Sequence, residues 1–167
     1  EKLEKCLRML KRQTVQPQRI LLINTEEEFF HSKVFSTLKQ AEIIHITKPE
    51  FDHGGTRNQA AAMCDGEIMI LLTQDAIPAD EHLIENLIKP FEDEEVCAAY
   101  GRQMADKKDN PVEAYTRIFN YPKESRIKSK EDLPKLGIKT FFCSNVCAAY
   151  RKTEYDALGG FPLHTIF

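Results

Sequence analysis

No two cysteines in this chain form a CxxC pair, no apolar run is long enough to cross a bilayer, and neither sign of charge dominates. Each absence excludes a class of protein. The five cysteines (Cys6, Cys64, Cys97, Cys143 and Cys147) are odd in number and scattered. That argues against a zinc site or a redox motif and for reduced thiols in a cytosolic protein. A spanning helix needs roughly 20 apolar residues, and none is present; the first residues also lack the pattern of a secretion signal. Lys and Arg number 23 against 26 Asp and Glu, a net charge of −3, so the overall balance points to neither nucleic acid nor anionic lipid. Repeats and low-complexity tracts are missing too. What remains is an ordinary composition over 167 residues, enough for one domain with a real core. The chain opens without Met inside a helical pattern and closes on Phe167 after a glycine turn, so both ends read as parts of something longer.

The periodicity alternates between helix and strand. Leu3, Cys6 or Leu7, and Leu10 recur at helical spacing over residues 1–13, and Pro17 ends that pattern. "RILLIN" (19–24), "EIIHIT" (42–47), "EIMILL" (67–72) and "VCAAYG" (96–101) are apolar runs of strand length, suited to strands covered on both faces. Helices are predicted over 30–40, over 56–64 with Gly66 as a left-handed stop, and after Asp80, an expected N-cap for the apolar face of Leu83, Ile84, Leu87, Ile88 and Phe91. Residues 104–139 are charged and carry three prolines; they predict a helix over 111–121 and a loop rich in Lys and Glu. "TFFCSNVCAAYR" (140–151) is apolar again, and Thr153 is the expected cap of a last short helix ending at Gly159–Gly160. Such alternation predicts an α/β domain with a mostly parallel sheet. Ligands of such sheets bind outside the carboxyl ends of the strands, which selects Asn24–Thr25, residues 48–58 and the segment from Thr73 to Asp75.

Three stretches could carry chemistry. In "FDHGGTRNQ" (51–59), Thr56 and Gln59 have the spacing of a capping box, and Gly54–Gly55 lets the backbone approach closely. A helix amino end with Arg57 beside it suits phosphate, although a capped helix with a surface arginine is an equally sufficient account. In "ILLTQDAIP" (70–78), Asp75 could hold a divalent cation that bridges phosphates, or could simply turn the chain before Pro78. In "RILLIN", Asn24 could meet a nucleobase edge or satisfy a loop. Glu26, Glu27 and Glu28 read as a solvated run, and His31, His45, His82 and His164 as isolated histidines; His53, against Gly54, is open. Cys143 and Cys147 read as small buried hydrophobes.

In this order and spacing, "CLRMLKRQTVQP", "RILLIN", "FDHGGTRNQAAAMCDGEIMILLTQDAIP" and "LGGF" resemble family 2 glycosyltransferases of the GT-A fold, above all their rhamnosyltransferase-like branch. The resemblance runs from about Leu3 to Phe161. It implies a single GT-A-like domain over 1–167, a Rossmann-like α/β fold with a mostly parallel central sheet, lacking the family's first strand and its C-terminal part. It implies an inverting transfer of sugar from a nucleoside-diphosphate donor (dTDP-rhamnose or a UDP-sugar) to a saccharide or lipid-linked saccharide acceptor, in bacterial cell-surface polysaccharide synthesis. On the donor side it places Asn24, where the family usually has an aspartate, together with Thr25, His53, Arg57, Asn58 and Gln74. Asp75 is the retained member of a D-x-D segment whose first aspartate is Thr73 here, and so the implied ligand of Mg²⁺ or Mn²⁺. Asn145 and Arg151 fall on the implied acceptor side, and the catalytic base is expected beyond Phe167. The implied setting is the cytoplasm, with room for peripheral contact at the inner face of the membrane and no nucleic-acid partner. Two other readings remain open: a GT-A-like binding module that has lost activity, and a sugar nucleotidyltransferase.

Overall fold

The computed structural model describes residues 1–105 and 110–163. Helix α1 (Lys2–Lys11) buries Cys6 and Leu7, and Leu7 packs with Val34 and Leu38 under β1 (Ile20–Thr25). β1 pairs in parallel with β2 (Ala41–Ile46), from Ile20 opposite Ala41 to Thr25 opposite Ile46. The helix expected over 30–40 does not form; the connection contains two 3₁₀ turns, Glu27–Phe29 and Phe35–Thr37. The reason is local. Ser32 Oγ accepts from Phe35 N at 3.0 Å and Thr37 Oγ1 donates to Val34 O at 2.7 Å, bonds that compete with a helical ladder.

Helix α2 (His53–Ala62) starts earlier than the Thr56–Gln59 pattern predicts, because Asp52 is its cap and accepts from Gly55 N at 2.5 Å. Thr56 plays the reciprocal part, its hydroxyl accepting from Asp52 N at 3.2 Å. Met63 closes the helix, and Gly66 is not in the left-handed region. β3 (Ile68–Leu72) follows, then α3 (Leu83–Ile88). Asp80 forms a turn to His82 N (2.9 Å) instead of capping α3, and Pro90 falls in the 3₁₀ turn Lys89–Glu92 that follows the helix. β4 (Ala98–Tyr100), α4 (Pro111–Asn120, capped by Asn110), α5 (Leu133–Leu136), β5 (Cys147–Arg151) and α6 (Lys152–Ala157) complete the order. Thr153 lies inside α6 and does not cap it. The stretch read as a loop after α4 is more structured than predicted, with Ser129 and Asp132 forming a capping box ahead of α5.

The α/β class stands, but strand direction is mixed. β1 and β2 form a parallel pair, whereas β5 lies between β3 and β4 and runs antiparallel to both. Ala148 and Ala149 of β5 are fully buried. Met69 packs with Ala61 of α2 and Tyr155 of α6 on one face; Ile68, Ile70 and Leu72 pack with Leu87 and Phe91 on the other. A central strand covered on both faces has room for small side chains only.

Burial pushes the thiols of Cys6 and Cys147 up to about 11, while Cys97 is exposed. Since the thiolate is the reactive form, iodoacetamide at mildly alkaline pH is expected to label Cys97 first and to reach Cys6 and Cys147 only in denaturant. Peptide mass spectrometry over time checks this, and early labelling of Cys147 would contradict it.

Candidate donor-side site

β3 ends in a turn that is held from two sides. Thr73 N donates to Val146 O at 3.0 Å, one step beyond the β3–β5 ladder, and Ala76 N returns to Thr73 O at 3.0 Å. Within the turn, Thr73 Oγ1 donates to Asp75 Oδ1 at 2.8 Å. Asp75 Oδ2 lies 3.9 Å from Lys2 Nζ on α1, and about half of the Asp75 side chain is exposed. Behind the turn, the buried Gln13 donates to Met9 O (3.1 Å) and Asp80 O (2.9 Å) and accepts from Ile84 N (3.0 Å), tying α1 to the start of α3. Asp75 is therefore a turn residue whose carboxylate is half exposed, with Thr73 at one oxygen and Lys2 at the other.

Asn145 joins this end of the sheet, since Val146 is the partner of Thr73. Its Oδ1 accepts from Tyr150 OH, and the neighbouring Ser144 accepts from Gln103 after β4 at 3.0 Å. Burial raises the Tyr150 phenol far above its ordinary value, with the nearby Cys143 adding to the effect and Arg57 opposing it, so Tyr150 is a neutral donor to Asn145. Gln74 is exposed on the same turn.

Arg151 is placed elsewhere. It sits opposite Ile68, at the other end of β5 from Cys147, roughly 13 Å along the strand by ordinary strand rise. Its guanidinium donates to Val96 O (3.3 Å), Phe91 O (3.0 Å) and Asp93 O (3.2 Å), pairs with Glu67 at 3.0 Å, and stacks 5.4 Å from the Phe91 ring centre. It fastens the segment between α3 and β4 and does not join the Asp75 end.

Asn24 and Thr25 close β1. The Asn24 amide donates to Glu26 O at 3.0 Å and lies 3.0 Å from His45 Nδ1 across the strand pair. At the start of α2, the exposed His53 meets the Phe51 ring edge-on at 5.0 Å, and its carbonyl accepts from Arg57 at 2.6 Å. The phosphate reading of this helix end meets an obstacle, because the Asp52 carboxylate already occupies it.

Asn58 is committed within the chain. Its Oδ1 accepts from Tyr155 OH (2.6 Å) and Phe161 N (2.8 Å), and its Nδ2 donates to Phe161 O (2.9 Å). The strap that reaches it is shaped by glycine. Gly159 and Gly160 have φ of +79° and +74°, and a Cβ on Gly160 would lie 2.5 Å from Asn58 Oδ1. A Cβ on Gly54 would overlap the Pro162 carbonyl oxygen. "HGGTRN" and "LGGF" are thus two halves of one contact. Lys2, Gln13, Tyr150 and Tyr155 carry no motif, and no pattern along the chain singles them out; His164 lies outside the described residues.

The profile of the family described as Glycosyl transferase family 2 matches residues 1–159. The chain belongs to glycosyltransferase family 2. This family 2 chain is 44% identical over 158 residues to the O-antigen chain rhamnosyltransferase RfbN of Salmonella typhimurium, covering 94% of the chain and 50% of that protein. It is 43% identical over 156 residues to the O-antigen chain rhamnosyltransferase WbaN of Salmonella anatum, covering 93% and 49%. The chain therefore spans about half the length of the curated relatives it matches. Its fold is that of a GT-A mannosyltransferase, PcManGT from Pyrobaculum calidifontis in complex with GDP-Man and Mn²⁺, with a TM-score of 0.60 at 16% identity over 96% of this chain and 44% of that one.

Among the described residues of this family 2 chain, Asp75 is a carboxylate whose placement would suit a divalent cation. A cation held by one or two carboxylates takes its other ligands from substrate oxygens and water. Asp75 would meet that use with one oxygen steadied by Thr73 and the other, on a half-exposed side chain, facing the Lys2 ammonium at 3.9 Å. Among the described residues no three His, Cys, Asp or Glu side chains gather into a cage, so a cation at Asp75 would need further ligands from elsewhere. No helix among the described residues is long and apolar enough to cross a membrane.

Proposed function

We propose that the chain forms the donor-binding part of an inverting glycosyltransferase acting in cell-surface polysaccharide synthesis. The donor is a nucleoside-diphosphate sugar, dTDP-rhamnose before other dTDP- or UDP-sugars, and the acceptor a saccharide or lipid-linked saccharide. The observation that carries this reading is the Asp75 carboxylate, half exposed in the turn that follows β3, which Thr73 ties to the Val146 carbonyl. The likeness to O-antigen chain rhamnosyltransferases supports the pathway class and is the reason for putting rhamnose first.

Asp75 would hold Mg²⁺ or Mn²⁺, which when bound supplies positive charge to the departing nucleoside diphosphate. Thr73 fixes Oδ1 of the carboxylate by its hydroxyl bond, and Lys2, 3.9 Å from Oδ2, is the positive neighbour that a cation at that oxygen would displace. Asn24, with its amide nitrogen engaged by Glu26 and His45, offers Oδ1 to the N3–H of thymine or uracil, which fits either base. Thr25, His53, Arg57 and Gln74 complete the donor side. Asn58 acts at one remove, holding the strap against α2. Asn145, oriented by Tyr150, faces the acceptor side, and Arg151 is withdrawn from it. The donor places the reaction in the cytoplasm, and a lipid-linked acceptor would bring it to the inner face of the membrane.

Calorimetry on the full-length protein with dTDP or UDP tests the reading. Binding is expected to need Mn²⁺ or Mg²⁺, and Asp75→Asn is expected to weaken it about tenfold or more, the loss of one charged ligand. Equal affinity with and without the metal, or in the variant, defeats the proposal. That outcome would favour a binding module that has lost activity, the reading suggested by Thr73 where a second carboxylate would stand.

A further inference from the structure

Helix α4 is mounted with its apolar side outward. Ala114, Arg117 and Asn120, at successive third positions, are half-buried against the body. Val112, Tyr115, Ile118 and Phe119 cover the opposite side and are 74%, 67%, 72% and 57% exposed. Tyr115 and Phe119 stack on each other at 6.1 Å, and the Lys139 ammonium sits 3.3 Å from the Phe119 ring centre. Ile138 and Phe141 add further exposed apolar surface from the turn that carries Lys139. A contiguous apolar patch of this kind is uncommon on a free surface and marks a contact site.

The charge around the patch says what it meets. Residues 111–142 hold seven Lys or Arg against four Asp or Glu, within a chain whose total is −3. The mild acidity of the whole therefore conceals a basic segment. Lys123, Arg126, Lys130 and Lys135 are exposed and, among the described residues, pair with no carboxylate. Exposed aromatic side chains on a short amphipathic helix, with unpaired cations in the segment that follows it, are the chemistry of an element lying in the interface of an anionic bilayer.

We propose that α4 and the basic segment after it dock the protein onto a bilayer surface containing anionic lipid, with Tyr115 and Phe119 entering the interface and Arg126, Lys135 and Lys139 meeting the headgroups. This deepens the membrane contact in the function proposed above and does not depend on which sugar is moved. The test is co-sedimentation of the full-length protein with phosphatidylcholine vesicles, with and without phosphatidylglycerol. Binding is expected only when phosphatidylglycerol is present, and to fall about tenfold in Tyr115→Ser/Phe119→Ser and again in Arg126→Glu/Lys135→Glu. Nucleotide affinity, measured without vesicles, is expected to be unchanged in both variants, which separates this proposal from the donor site. Wild-type protein that stays in solution, or a Tyr115→Ser/Phe119→Ser variant that sediments like wild type, overturns it. So does a variant that unfolds or breaks a stable oligomer, because protein would then be covering the face.

Discussion

Asn58→Ala is expected to lower stability by about 3 kcal/mol in urea unfolding, far more than a half-exposed polar residue usually costs. The substitution deletes one acceptor that serves two donors and one donor that serves a carbonyl. Three groups lose partners together: the buried Tyr155 hydroxyl, and the Phe161 N–H and C=O. A buried polar group without a partner costs about 1–3 kcal/mol; water can reach Phe161 in part, which keeps the total below the sum. Asn58→Asp is expected to fail too, since it turns a carboxylate toward the Phe161 carbonyl where an amide N–H had been. A change below about 0.5 kcal/mol, the level of an ordinary surface substitution, would mean that the strap is held by Phe161 packing on Tyr150 and Tyr155 alone.

Gly160→Ala is expected to cost about 2–4 kcal/mol, from left-handed backbone and overpacking together. The φ of +74° disfavours any side chain, and the new methyl would press on Asn58 Oδ1 at 2.5 Å. Gly159→Ala is the control: its φ is similar, but nothing lies within 4 Å of the added carbon, so only the backbone share of about 1 kcal/mol remains. The two sites on either side of the contact should also couple. In an Asn58→Ala background the Gly160→Ala clash with Asn58 disappears, leaving only the Tyr155 hydroxyl at 3.2 Å, and the double-mutant cycle should deviate from additivity by about 1 kcal/mol or more. Additive costs would place the strain of Gly160 in the backbone alone.

The elements that could be read in the sequence are those with one dominant signal. The helical repeat of Leu3, Leu7 and Leu10 and the apolar runs of β1, β2 and β3 give boundaries within a residue or two of the observed ones. Where signals compete, the reading fails. Ser32 and Thr37 bond to backbone inside a stretch with helical spacing, and Asp52 takes the cap that Thr56 and Gln59 also suit. Strand direction is invisible for another reason, because an apolar run reports burial on both faces and is the same read in either direction. Among the site residues, Asp75 is recognisable by its place after β3. Arg151 is not, since its partners Phe91, Asp93 and Val96 meet it only through the β4–β5 pairing. Asn58 and "LGGF" are both visible as signals, but 103 residues separate Asn58 from Phe161, and nothing local joins them.

The position of β5 also bears on how the chain is made. β3 and β4 leave the ribosome well before β5, yet among the described residues neither pairs with the other, and each pairs with the same later strand. Until Arg151 has emerged, both strands lack the ladder that β5 supplies, open to wrong pairing in the way incomplete sheets are. Thr73 lacks its tie to Val146 for the same interval, so the turn bearing Asp75 takes its final shape late in synthesis.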